Sequence, residues 1–122
     1  MIGYVTLGSN DFEKAKTFYD AALAPLGARR TLTMDRLQGF GSSERGPMLA
    51  VCKPYDEKPA TVGNGTMAAL AAPSRELVDR THAAALAAGG SDEGAPGLRG
   101  DTFYGAYFRD LDGNKLCVFH VG

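Results

Sequence analysis

The sequence predicts an α+β fold: two βαβββ modules forming paired curved sheets around a shared cleft. Three observations carry that prediction. First, the chain aligns with itself without a gap when residues 4–27 are laid over residues 67–90, so that Leu7 falls on Leu70, Glu13 on Glu76, Leu23 on Leu86 and Gly27 on Gly90. Second, both copies follow the same local order of strand, helix cap, helix and glycine stop. Third, each helix is followed by three more short runs of strand composition.

In the first copy, residues 2–8 form a short apolar run that includes Val, Thr and Tyr, which suits a strand. Asn10 stands three residues before Glu13, a helix-start pattern. Phe12, Ala15, Phe18, Tyr19, Ala22 and Leu23 make an apolar stripe at helical spacing, so the helix is expected over residues 11–24. Pro25 and Gly27 end it. Strands are then expected at 28–34, 37–42 and 47–53.

In the second copy, residues 66–71 read as the strand, Ser74 as the cap and residues 75–88 as the helix, stopped by Gly89 and Gly90. Strands follow at 91–98, 103–109 and 115–121. The last two are joined by Asp110-Leu111-Asp112-Gly113-Asn114, which has hairpin-turn chemistry. The organisation is one domain: a first module over about residues 1–54, a Pro/Gly/Asp-rich linker over 55–65 and a second module over 66–122. One helix covers one face of each four-stranded sheet. The remaining faces need a partner, and turning them toward each other leaves a cleft between them.

Composition narrows the function classes. The 122 residues, 44% hydrophobic and 22% charged, are those of a compact globular domain. A net charge of −1 with no basic run gives no electrostatic case for nucleic acid or an anionic membrane. The N-terminus lacks the basic and apolar regions of a signal peptide, and no apolar run approaches the roughly 20 residues of a membrane span. The expectation is a cytoplasmic protein with Cys52 and Cys117 as reduced thiols.

Strand alternation supplies the cleft-facing residues. Tyr4 and Thr6 come from the first strand, with Met48, Ala50 and Cys52 from the fourth. Met67, Ala69 and Ala71 come from the fifth, and Cys117 and Phe119 from the last. Arg30, Leu37, Phe40, Tyr104 and Arg109 are further candidates from the remaining strands. The cavity so described is apolar and built of small residues, with a few hydroxyls and thiols. His82 falls on the second helix, and alternation turns His120 away from the cleft. Neither stands where it would serve as base to Cys117, so a structural role for that thiol is favoured over a nucleophilic one.

Two stretches carry a family resemblance: Val5-Thr6-Leu7-Gly8 followed by Phe18-Tyr19 and Leu26-Gly27, and Tyr104-Gly105-Ala106 followed by Arg109-Asp110-Leu111-Asp112-Gly113-Asn114. In this order and spacing the chain resembles the vicinal-oxygen-chelate superfamily, which contains glyoxalases, bleomycin-resistance proteins and extradiol dioxygenases. Leu111 departs from the proline often found there. The resemblance implies metal ligands on the first and last strand of each module. Those positions map to Tyr4, Ala50, Met67 and Cys117. Tyr, Ala, Met and Cys do not make a site for a hard divalent ion, so no divalent metal cofactor is expected. The resemblance implies a homodimer; with the usual metal ligands missing and an apolar cleft, the expectation is a protein that binds a small apolar or aromatic ligand, and a binding role is favoured over catalysis. Two alternatives stand beside it: a lyase, isomerase or dioxygenase similar to glyoxalase I, and a non-catalytic dimeric interaction module.

Overall fold

The computed structural model describes residues 1–122. The elements run β1 (Tyr4–Gly8), α1 (Phe12–Ala22), β2 (Arg29–Met34), β3 (Leu37–Gly41), β4 (Met48–Cys52), β5 (Ala68–Ala71), α2 (Arg75–Ala87), β6 (Ser91–Leu98), β7 (Phe103–Arg109) and β8 (Lys115–Val121). They build two four-stranded sheets of matching order, β1-β4-β3-β2 and β5-β8-β7-β6. In each sheet the first strand pairs parallel with the last, and the other pairs are antiparallel. The fold is therefore α+β, with the repeated βαβββ unit that the sequence offset implied. No helix is long and apolar enough to cross a membrane.

The helices begin and end for local reasons. The α1 N-cap is Asp11, whose carboxylate accepts a hydrogen bond from the Lys14 backbone N–H. Asn10, expected to lead the helix, has a different task. Its side-chain amide grips the Ala60 peptide, accepting from the N–H at 2.7 Å and donating to the C=O at 3.2 Å. The first helix closes through a short 3₁₀ turn containing Pro25 and a left-handed Gly27. Ser74 caps α2 as expected, accepting from Leu77 N–H, and Gly89 ends it with φ of 107°.

Both helices bury their stripes in one core. Phe12, Ala15, Phe18, Tyr19 and Ala22 of α1 join Val78 and Ala85 of α2, together with Leu7, Phe40, Leu49 and Val51 from the first sheet and Ala106, Phe108, Leu116 and Val118 from the second. Aromatic contacts tie the layers. Tyr19 of α1 lies against Phe40 of the first sheet, and Phe18 lies against Phe108 of the second. The outer strands β2 and β6 give no residue to this cluster.

That arrangement corrects one expectation. The modules join through their helix layers, so the opposite sheet faces point away from the core and are open within one chain. Tyr4 is 60% exposed and Met67 44%. The apolar stripes of two amphipathic helices need covering on more than one side. Packing the helices together in one core meets that need and leaves the other sheet faces without a covering layer, although Ala50 and Cys117 within them are buried.

A buried polar cluster pins the two modules at the end of β1. The Asp110 carboxylate accepts from the Tyr19 hydroxyl at 2.5 Å, from the Asn114 side chain, and from the backbone N–H groups of Asp112 and Asn114. The Asn114 amide also donates to Gly8 C=O across the module boundary. The Asn10 N–H donates to Asp112. Gly8 is tight against the linker, where a Cβ would sit 2.8 Å from that of Ala60.

Candidate functional site

Two open sheet faces are the candidate binding surfaces. On the first, Tyr4 and Thr6 of β1, Met48, Ala50 and Cys52 of β4 and Leu37 of β3 share one side by strand alternation and pairing register. The linker does more than connect. It folds along this face and walls an open hollow of about 490 Å³ with Pro54, Tyr55, Pro59 and Ala60 opposite Tyr4, Thr6 and Cys52. Arg36 stands at its edge, its guanidinium donating to Lys53 C=O and lying 5.0 Å from the centre of the Tyr55 ring.

On the second face, Cys117 and Phe119 of β8 stand between Ala69 and Ala71 of β5 and Tyr107 and Gly105 of β7. Phe103 and Phe119 stack with ring centres 5.2 Å apart and planes 10° from parallel. Tyr107 stands directly opposite Cys117 across the hairpin. Met67 flanks this face just before β5.

The structure thus brings Tyr4, Thr6, Ala50 and Cys52 together on one face, and Met67, Ala69, Cys117 and Phe119 on the other. It does not place Tyr104 with either. Tyr104 points to the helix side, where its hydroxyl donates to Asp79 of α2 at 2.6 Å and Arg75 covers its ring. Tyr107 holds the inward position instead. Counting back from the 110–114 turn would have found it, because the hairpin register sets Tyr107 opposite Cys117. Arg30 and Phe40 also belong to the helix side, Arg30 paired with Asp20 and Phe40 in the core. Leu37 and Arg109 keep the expected side, and Arg109 is held by Glu93. His82 is buried against Asp92, and His120 meets the Ala72 carbonyl.

The sequence profile described as Glyoxalase/Bleomycin resistance protein/Dioxygenase superfamily matches residues 1–118. The chain belongs to this superfamily. A glyoxalase/bleomycin resistance protein of Albidiferax ferrireducens is 39% identical to it, with a TM-score of 0.91 over 100% of this chain and 99% of that one. A lactoylglutathione lyase of Agrobacterium tumefaciens shares the fold at 22% identity, with a TM-score of 0.72 over 98% of this chain and 92% of that one. A putative glyoxalase of Bacillus halodurans does so at 20% identity, with a TM-score of 0.77 over 98% and 95%. No protein of curated function matches the sequence at a significant level.

Tyr4, Ala50, Met67 and Cys117, the positions to which the resemblance assigns the superfamily's metal, carry a poor donor set for a divalent ion. Ala50 has no donor atom. Tyr4 offers an exposed phenol and Met67 a thioether. Cys117 is 1% exposed, and burial pushes its thiol pKa up, against smaller opposing effects of Tyr107, Arg99 and Lys115. A neutral thiol is a poor metal ligand and a poor nucleophile. No group of three or more His, Cys, Asp or Glu side chains gathers in a ligating arrangement within the chain.

The thiols make a direct prediction. Burial also raises the pKa of Cys52, with Arg36 and Thr6 opposing, but Cys52 is only half-buried. Iodoacetamide near pH 8 is expected to alkylate Cys52 before Cys117, and both more slowly than a free thiol, when labelling is followed by peptide mass. Preferential labelling of Cys117 would reveal a thiolate there and revive its nucleophilic role.

Proposed function

We propose that this superfamily member binds a small apolar or aromatic ligand on its open sheet faces, without a resident divalent metal, as a homodimer whose second copy completes the cleft. The observation that carries the reading is the donor set at the superfamily's metal positions, Tyr4, Ala50, Met67 and Cys117, set among apolar neighbours on otherwise open faces. Tyr4, Met34, Met67 and Val121 are 60%, 54%, 44% and 59% exposed. Large apolar side chains left bare on two faces mark surfaces that something covers. A two-fold partner meets both needs at once. The first-sheet face of each copy lies over the second-sheet face of the other, and symmetry makes two equivalent clefts.

The test combines light scattering with elemental analysis of protein purified without chelators and then offered Ni, Mn, Fe and Zn. A dimer with no stoichiometric metal is expected. One tightly held metal per chain would defeat the metal-free reading and call for a lyase or dioxygenase assay. A monomer at micromolar concentration would defeat the shared cleft.

A further inference from the structure

We infer that Arg99 anchors the anionic group of a small aromatic acid on the second sheet's open face; the inference rests on the ligand-binding reading above and narrows its ligand class. The starting observation is the irregularity of β6. Its pairing with β7 slips twice, between Asp92 and Gly94 and between Gly94 and Gly97. The Arg99 guanidinium fills the disturbed stretch. It donates from Nη2 to Ala95 C=O at 2.8 Å, and from Nη1 to Gly97 C=O at 2.8 Å and Gly105 C=O at 3.1 Å. Two glycines make room for it. A Cβ on Gly94 would stand 3.1 Å from Nη2, and one on Gly97 3.2 Å from Nη1. The strand is thus shaped around a fixed cation.

That cation is exposed and has no carboxylate partner within ion-pair distance. The three carbonyls occupy three of its five donors, leaving the Nε–H and one Nη2–H for an incoming anion. Its position is on the candidate face, 5.5 Å from the centre of the ring of Tyr107, the residue paired with Cys117 across the hairpin. Lys115, also without a carboxylate partner, lies 5.6 Å from the centre of the same ring. Glu93 is engaged by Arg109. Further along the face, the half-buried Phe103 and Phe119 stack as an aromatic platform. A held guanidinium loses little side-chain freedom when it meets an anion, and its planar donors suit a carboxylate better than a point charge does. Phe103 and Phe119 supply the complementary surface for a ring. An aromatic monocarboxylate uses both features.

The probes are 2-naphthoate and its neutral isostere 2-naphthamide, titrated by calorimetry into the full chain and into Arg99→Gln and Arg99→Lys. The wild-type protein is expected to bind the acid at least about tenfold more tightly than the amide. Arg99→Gln is expected to weaken the acid by about ten- to a hundredfold and leave the amide unchanged, with Arg99→Lys between. A residue that only braces β6 would give a different pattern, with both probes weakened equally. Equal binding of acid and amide to the wild type overturns the inference and leaves the ligand-binding reading standing. Binding of neither probe removes that reading and the inference with it. The acid-over-amide preference is measured on the wild type, so the proposal stays testable if Arg99→Gln fails to fold.

Discussion

Replacing Asp110 with Ala lowers the unfolding free energy by about 3–5 kcal/mol, read as a fall in the urea midpoint with an unchanged slope. The substitution strips the acceptor from Tyr19, from Asn114 and from the Asp112 and Asn114 backbone N–H groups. Each buried donor left without a partner costs about 1–3 kcal/mol, and a domain of this size has only about 5–15 kcal/mol in total. Tyr19→Phe removes one of these bonds and is expected to cost about 1–3 kcal/mol. It also changes the alkaline limb. Burial, followed by the Asp110 carboxylate, holds the Tyr19 hydroxyl well above its ordinary pKa. The folded state therefore favours the protonated phenol. That contribution is fully present below the usual tyrosine range near pH ~10 and is lost as pH rises toward the raised folded value. Wild-type stability should fall above about pH 10, and Tyr19→Phe should fall less steeply there. Parallel curves would show that the bond is not coupled to ionisation.

The Asp110 cluster also marks the limit of what the chain discloses. The 110–114 segment was legible as a turn, because Asp and Gly at those positions have local reasons to be there. Its long-range work was not legible. Nothing in the local pattern says that Asp110 meets Tyr19, or that Asn114 reaches Gly8 in the other module. The element order was read correctly for a related reason: each element depends on a pattern within about a dozen residues. β7, β8 and β6 begin and end where expected, while α1 is shorter because Pro25 forces a 3₁₀ turn. Asn10 and Asp11 are neighbours of similar capping chemistry, and only the position of Ala60 decides which one caps. Of the cleft residues, Tyr104 was misplaced because β7 was given no register. Its partner across the hairpin is His120, already assigned to the helix side, so the hairpin alone held the answer. Arg99 escaped notice because a carbonyl cradle made by strand bulges has no sequence period.

Two phenylalanines on adjoining strands test which side of the second sheet is core. Phe108 of β7 is 0% exposed and meets Phe18 across the module boundary, with ring centres 6.4 Å apart. Phe108→Ala is expected to cost about 3–5 kcal/mol, because it opens a cavity in the common core against Phe18 of the other module. Phe119 of β8 faces the other way and is only half-buried, resting on Phe103. Its truncation removes partial burial and one stacked pair, so about 1–2 kcal/mol is expected. The affinity for an aromatic probe should respond in the opposite order, falling in Phe119→Ala and holding in whatever fraction of Phe108→Ala remains folded. Both values come from denaturation and titration of the same two variants. If Phe119→Ala matched Phe108→Ala in stability, the face would be part of the core. Open sheet faces awaiting a ligand and a second copy would then be the wrong description of this chain.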